Sequence, residues 1–244
     1  MENQREGANA MKIPAGHVGG SCNLLIDADD TLWENNIYFD RVIAQVQALI
    51  RTFNVDGNLF QRELIEAERE HIPLYGYGTA NFARSLVRTF ERLAPAADPS
   101  LIDTVRELAL GIMRQPPQII DGVPETLSYL ARRHALFLVT KGNRDEQLAK
   151  IEASGLASHF RDVEILGEKN VASFLLLLSK HRWDASRTWM IGNSPRSDIN
   201  PALGAGMNAV FVPHPHTWVL EHEEPMRHPN LLEVKRFSDL RLYF

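Results

Sequence analysis

Acidic residues occupy three of four consecutive positions directly after a short apolar run near the start of the chain. The run is Leu24-Leu25-Ile26, and the acids are Asp27, Asp29 and Asp30. Such a run is typical of a strand buried in a parallel sheet, and open α/β sheets bind ligands at the carboxyl ends of their strands. Because clustered carboxylates repel one another, the pattern favours a bound cation or catalytic proton transfer. A turn or a helix N-cap explains these residues equally well.

Side chains of other types follow three later apolar runs. They are a hydroxyl, an ammonium group and a carboxylate: Thr140 after residues 135–139, Lys169 after 163–166, and Asp198 after 188–191. Because parallel strands end at one edge of a sheet, we expect these groups to converge on Asp27 and Asp29. The set suits phosphoryl transfer, in which catalysis is mainly positioning and charge stabilisation, and its hard oxygens suit Mg²⁺. Each residue alone is also explained as a helix cap or a surface charge.

The apolar pattern after Trp33 changes to helical spacing. It predicts four helices and no strand, over residues 35–53, 58–70, 80–93 and 101–113. Gln115-Pro116-Pro117 then breaks the helical pattern. A helical bundle inserted directly after the first strand would overhang the carboxyl edge of the sheet and act as a lid.

Alternation of helices and strands resumes after residue 120. The predicted helices cover 124–133, 145–154, 171–181 and 199–205, and the predicted strands cover 135–139, 163–166, 188–191 and 209–212. This order predicts an α/β fold with a Rossmann-like parallel sheet that is covered on both faces. We therefore expect a flexible tail over 1–20, an α/β core over 21–33 and 120–244, and a helical cap over 34–119.

Composition excludes several classes of function. The 244 residues carry a net charge of -5, which disfavours nucleic acid and anionic membranes as partners. No apolar segment is long enough to span a bilayer, and residues 1–20 lack a hydrophobic signal core. Cys22 is the single cysteine, so no internal disulfide can form, which fits a cytoplasmic location. We expect a monomer or a homodimer.

The residues that follow the apolar runs resemble the motifs of a known family. Asp27-Ala28-Asp29-Asp30-Thr31 resembles the first motif, D-x-D-x-T, of the haloacid dehalogenase (HAD) superfamily. Thr140-Lys141-Gly142-Asn143 is similar to the second motif, Lys169 to the third, and residues 192–207 to the fourth. The resemblance covers about residues 23–212, and the helical insertion resembles the C1 cap of this superfamily.

The resemblance implies a role for each matching residue. Asp27 would attack phosphorus and form an aspartyl-phosphate, and Asp29 would protonate the leaving alcohol and then activate water. Thr140 would hold the phosphoryl oxygens, together with its neighbours Lys141, Gly142 and Asn143. Lys169 would balance negative charge. Mg²⁺ would be bound by Asp27, the backbone oxygen of Asp29, Asp198 and Asn193.

Two residues depart from the commonest family pattern. Asn193 stands where many relatives carry a second acid, and an amide offers an oxygen but no charge. Asp30 replaces a glycine, a substitution familiar in cap-bearing phosphatases. The first motif, the Tyr-Gly-Tyr-Gly segment and the fourth motif together resemble an FMN- or nucleotide-phosphatase-like branch. From their side-chain types, we expect Tyr75 and Tyr77 of the loop over 72–78, together with Asn81, to determine substrate specificity in the cap.

The main hypothesis is a Mg²⁺-dependent phosphatase that hydrolyses a small phosphomonoester, such as a nucleotide, FMN or a sugar phosphate. Alternatives are a phosphomutase or phosphotransferase on the same core, and a phosphate-binding scaffold that has lost catalysis. A dehalogenase is disfavoured because halide displacement would leave Asp29 without a role. A metal site at His214 and His216 is disfavoured because their spacing is not zinc-like, and we expect a loop that packs over the sheet.

Overall fold

A six-stranded parallel sheet forms the centre of the protein, for which a computed structural model describes residues 19–244. In chain order the strands are β1 (Asn23–Ile26), β2 (Trp33–Glu34), β3 (Gln118–Ile119), β4 (Ala135–Lys141), β5 (Asp162–Leu166), β6 (Thr188–Gly192), β7 (Asn208–Phe211) and β8 (Leu231–Glu233). The order across the sheet is β5-β4-β1-β6-β7-β8, and β2 and β3 form a separate antiparallel pair. The predicted α/β fold is confirmed, whereas the tail predicted over 1–20 lies, up to residue 18, outside the described residues.

Eight α-helices connect and cover these strands in the described part of the chain. They are α1 (Asn36–Arg51), α2 (Gly57–Tyr75), α3 (Thr79–Leu93), α4 (Pro99–Leu110), α5 (Val123–Leu130), α6 (Arg144–Ser154), α7 (Val171–His181) and α8 (Asn200–Gly204). Across residues 19–244, no helix has the length and apolar character that crossing a membrane requires. The cytoplasmic location and the monomeric or dimeric state stay predictions.

Three of the four residues of strand β1, Leu24 to Ile26, are apolar because both faces of the strand are covered there. Leu24 and Ile26 belong to one buried cluster, and Leu25 belongs to another on the opposite face. Leu25 lies in register between Phe137 of β4 and Met190 of β6. Because β1 is central in the sheet, the residues that follow it emerge in the middle of the carboxyl edge.

The helices α1 to α4 have a hydrophobic cluster of their own, built around fully buried Phe60, Leu86 and Phe90. Asp56 and Asp98 start α2 and α4 by accepting backbone hydrogen bonds in their first turns. The antiparallel pair of β2 and β3 lies where the chain enters and leaves this helical insertion. The division into a core over 21–33 and 120–244 and a cap over 34–119 stays a prediction.

The structure departs from the predicted elements in three places. Helix α2 continues through Pro73 to Tyr75, so the predicted loop is reduced to residues 76–78. The helix predicted over 199–205 is present as α8, but a π-helical turn that was not expected, Pro195–Ile199, precedes it. The sequence pattern predicts none of the strands β2, β3 and β8, because two or three residues are too few to show a period.

Helix α7 offers a matched test of the core. Phe174 is fully buried against the sheet, whereas Leu176 on the same helix is 70% exposed. We expect Phe174→Ala to lower the free energy of unfolding by about 3–5 kcal/mol, because it removes a large buried ring and leaves a cavity. Leu176→Ala should change it by less than about 0.5 kcal/mol. Urea denaturation of both variants measures these values, and equal losses would contradict the assigned packing.

Candidate active site

One buried ammonium group joins two carboxylates at the carboxyl edge of the sheet. Lys169 Nζ donates to Asp198 Oδ1 over 2.7 Å and also to Asp27 Oδ1. Asp27 directly follows β1, Lys169 lies between β5 and α7, and Asp198 follows β6. All three side chains are buried. The structure thus brings together three residues that are distant in sequence, as the parallel arrangement of strands requires.

Asp198 is held in place by its own turn. It lies in the π-helical segment Pro195–Ile199, and the Ser194 N–H donates to its Oδ2 over 3.0 Å. The carboxylate packs directly on the backbone of Gly192, where the β-carbon of any other residue would overlap it. Glycine at position 192 is therefore required by this close approach.

Burial and the neighbouring charges both shift the pKa values of this triad. Burial raises the pKa of Asp27 to about 7, while the charge of Lys169 lowers it and that of Asp198 raises it. Burial alone would lower the pKa of Lys169, but Asp198 and Asp27 raise it well above its usual value. Two carboxylates around one ammonium leave a net negative charge when both are ionised. The site is therefore suited to a further cation.

An amide oxygen lies beside the same carboxylates. The Thr31 hydroxyl lies 3.1 Å from Asp27 Oδ2 and 3.3 Å from Asn193 Oδ1, so the two acceptors face one group. The donor set of Asp27, Asp198 and Asn193 consists of hard oxygens, which fits Mg²⁺. Binding of Mg²⁺ by the backbone oxygen of Asp29 stays a prediction.

Asp29 is enclosed by partners of its own. Both of its carboxylate oxygens lie 2.6 Å from Lys150 Nζ, and it also accepts from Gln147 Nε2 at 2.9 Å and Trp33 Nε1 at 2.7 Å. Burial alone would raise the pKa of Asp29, but Lys150 and these hydrogen bonds hold it below its usual value. The side chain is thus an ionised carboxylate in this arrangement.

Sequence reasoning missed Lys150 and Gln147. Both lie on α6, three residues apart and hence on the same side of the helix. A polar residue pair at this spacing is normally part of a solvated face, so the sequence offered no signal beyond the position of α6 after Thr140.

The segment around the second motif is held largely by protein contacts. Thr140 is buried near the end of β4 and lines the cavity described below. The Gly142 N–H donates to the Leu166 carbonyl, and Asn143 Oδ1 accepts from the first backbone amides of α6. The Gly142 N–H is therefore engaged within the protein, and substrate binding by Thr140, Gly142 and Asn143 stays a prediction.

Lys141 is part of a network that connects the insertion to the core. Its Nζ lies 2.5 Å from Glu221 Oε1, 2.8 Å from Ser197 Oγ and 4.5 Å from the centre of the Tyr77 ring. The Tyr77 hydroxyl donates to Glu168 over 2.6 Å. Substrate contact by Lys141 stays a prediction.

The two tyrosines predicted to contact substrate lie in different environments. Tyr77 lines the cavity, whereas Tyr75 does not. Tyr75 is 53% exposed and its ring lies 4.2 Å from the Arg84 guanidinium carbon. The structure thus places Tyr75 at the exposed end of α2, outside the cavity wall, and substrate contact by Tyr75 stays a prediction.

A cavity of about 940 Å³ lies between the sheet edge and the helical insertion. The sheet edge contributes Asp27, Asp29, Thr140, Lys169, Asn193 and Asp198 to its wall. The insertion contributes polar as well as apolar residues, among them Glu68, Asn81 and Phe82. A volume of this size accommodates a small organic ligand.

The histidines after β7 contact the start of the insertion. His214 Nε2 lies 3.2 Å from Glu34 Oε2, and His216 Nδ1 lies 3.1 Å from Asp40 Oδ2. Ligand atoms of Asp30, Glu34 and His214 lie within 4.8 Å of one another, a spacing that could hold a metal ion. Asp30, however, already accepts from the Asn35 and Asn36 amides at the start of α1. A capping role explains it without a metal.

Comparison with known proteins places these residues in context. The family model for haloacid dehalogenase-like hydrolases matches residues 23–206. A phosphoserine phosphatase from Thermus thermophilus is 30% identical over 254 residues, which cover 91% of this chain and 97% of that protein.

Solved structures with the same fold include a haloacid dehalogenase-like family hydrolase from Xanthomonas campestris. It is 30% identical, has a TM-score of 0.80 and is matched over 93% of both chains. A 2-haloacid dehalogenase from Pseudomonas syringae is 24% identical with a TM-score of 0.56, covering 90% of this chain and 96% of that one. The second likeness concerns the fold alone. The FMN- or nucleotide-phosphatase-like branch stays a prediction.

The Lys150 contact predicts the titration of Asp29. In Lys150→Gln the pKa of Asp29 should rise, because the positive charge that lowers it is lost while burial, which raises it, remains. Carboxyl-carbon NMR of the labelled protein measures this pKa. Lys180→Gln removes an exposed lysine that pairs with Glu164 and should leave Asp29 unchanged. An unchanged or lower pKa in Lys150→Gln would show that the pair does not control Asp29.

Proposed function

The chain belongs to the family of haloacid dehalogenase-like hydrolases, and within that family we propose that it is a Mg²⁺-dependent phosphatase of small phosphomonoesters. The observation that carries this proposal is the buried triad of Asp27, Lys169 and Asp198 at the sheet edge. A nucleophilic carboxylate, a fixed ammonium and a second carboxylate for a cation are the parts that phosphoryl transfer requires.

Asp27 is the proposed nucleophile, and attack on phosphorus forms an aspartyl-phosphate and releases the alcohol. The attacking form is the carboxylate, which its raised pKa of about 7 disfavours at lower pH. Lys169 opposes this effect by contacting Asp27 directly and balances the charge of the phosphoryl group. Asp27, Asp198 and Asn193 would hold Mg²⁺, which when bound supplies positive charge to the carboxylates and the phosphoryl oxygens.

Asp29 is the proposed general acid and base. It gives a proton to the leaving alcohol in the first step and accepts one from the hydrolytic water in the second. Lys150 favours the ionised form of Asp29, which is the form needed in the second step. Because Lys150 holds the pKa of Asp29 low, protonation of Asp29 for the first step requires that this ion pair weaken when substrate enters. Both residues line the cavity, so an entering substrate can contact them.

The position of Asp29 favours a phosphatase over a dehalogenase. An alcohol needs a proton as it leaves, whereas a halide does not. A proton donor two residues after the nucleophile therefore has a use in phosphate-ester hydrolysis but not in dehalogenation. The phosphoserine phosphatase from Thermus thermophilus supports the phosphomonoester class at 30% identity. The likeness to the 2-haloacid dehalogenase rests on 24% identity and concerns the fold alone.

Two alternatives use the same residues. A phosphomutase or phosphotransferase would pass the phosphoryl group to an organic acceptor, and a phosphate-binding scaffold would not form a covalent intermediate. Release of inorganic phosphate into water, without an added acceptor, distinguishes the phosphatase from both. Nucleotides, FMN and sugar phosphates stay predicted substrates.

Asp27→Asn should abolish phosphate release from an aryl phosphate in the presence of Mg²⁺. We expect a loss of at least about a thousandfold, because an amide neither attacks phosphorus nor binds a cation as a carboxylate does. A phosphate-release assay measures this, and EDTA should stop the wild-type reaction. Asp103→Asn changes an exposed aspartate on α4 and should leave turnover unchanged. Turnover that survives Asp27→Asn would refute the nucleophile assignment.

A further inference from the structure

A buried carboxylate in the cap side of the cavity has no charged partner. Glu68 lies on α2, is 8% exposed and lines the same cavity as Asp27 and Lys169. Among the described residues, no lysine, arginine or histidine forms a salt bridge with it, and the side chain of Trp218 lies beside it. A buried acid without a counter-charge is rare in proteins, because the loss of hydration is not compensated.

The position of Glu68 on its helix excludes a simple surface role. Glu66 and Glu70 on the same helix are exposed, whereas Glu68 lies on the buried side with Leu64. The apolar side of an amphipathic helix normally carries apolar residues. A carboxylate there, open to a cavity, indicates a ligand contact.

The surroundings of Glu68 favour a cation over a neutral donor. The wall of the same cavity contains apolar Ile72 and Phe82 and the aromatic pair of Tyr77 and Trp218, whose ring centres are 6.2 Å apart. Burial raises the pKa of Glu68 to about 7, although the Trp218 side chain lowers it in part. An ammonium group would supply the missing opposite charge and hydrogen bonds, and aromatic rings stabilise cations further. A hydroxyl group would supply no charge.

We propose that Glu68 binds the amino group of the substrate, so that the substrate is the phosphate ester of an amino alcohol. The hydrolysis of this ester rests on the proposed phosphatase function, whereas the binding of its amino group by Glu68 does not. The sheet edge and the helical insertion then contribute complementary charges to the cavity: Lys169 and the cation site take the phosphate, and Glu68 takes the ammonium. The alcohol's carbon chain would contact apolar residues of the wall.

Binding to the Asp27→Asn variant tests the proposal without turnover. The probes are O-phosphoethanolamine and propyl phosphate, which have the same length but differ in the terminal ammonium or methyl group. By titration calorimetry, phosphoethanolamine should bind about 10-fold or more tightly, which is the factor expected of a charge-assisted hydrogen bond. Equal affinities would overturn the proposal.

A second variant assigns the preference to Glu68. In Asp27→Asn with Glu68→Gln the ratio of the two affinities should fall to near one, and the fold should persist because an unpaired buried charge is removed. Asp27→Asn with Glu66→Gln is the matched control, since Glu66 is an exposed glutamate of the same helix, and it should keep the preference. A preference that survives Glu68→Gln would overturn the assignment.

Turnover of the wild-type protein separates this proposal from the proposed function. Phosphate release that depends on Asp27, combined with equal affinity for the two esters, would retain the phosphatase and reject the amino-group site. A Glu68-dependent preference without Asp27-dependent release would retain the amino-group site and reject the phosphatase.

Discussion

The site depends on one physical constraint, the burial of the Lys169 ammonium between the carboxylates of Asp27 and Asp198. Charges removed from water are costly unless they are paired at close range. The three groups satisfy one another within a buried edge of the sheet, and each comes from a different part of the chain. The central position of β1, the turn after β6 and glycine at position 192 all serve to make this contact possible.

The other acidic residues of the cavity differ in whether a cation lies beside them. Asp29 has its own cation in Lys150, so the two aspartates of the first motif differ: burial raises the pKa of Asp27, whereas Lys150 lowers that of Asp29. Different environments for neighbouring carboxyl groups allow them to take different roles. Within residues 19–244, Asp30 and Glu68 are buried acids of the cavity without a lysine or arginine partner, but Asp30 accepts from two backbone amides at the start of α1, whereas Glu68 lies on the buried side of α2. A ligand that carries both a phosphate and an ammonium group would complete the charge pairing.

Much of the fold and part of the site could be predicted from the sequence. Apolar runs and helical spacing identified the parallel sheet and the four inserted helices, and the rule that parallel strands end at one edge brought Asp27, Lys169 and Asp198 together. The rest depends on tertiary contacts that local pattern does not contain. Lys150 lies on a helix whose polar residues resemble a solvated face. Tyr75 and Tyr77 differ only because α2 continues through Pro73.

The central claim is that Asp27, held by Lys169, forms a covalent bond to phosphorus. Rapid acid quenching during turnover of an aryl phosphate with Mg²⁺, followed by peptide mass spectrometry, tests this most directly. The account predicts a phosphoryl group on the carboxylate of Asp27, which hydroxylamine removes. Phosphorylation of another residue, or hydrolysis without any phosphorylated protein across the burst phase, would contradict it.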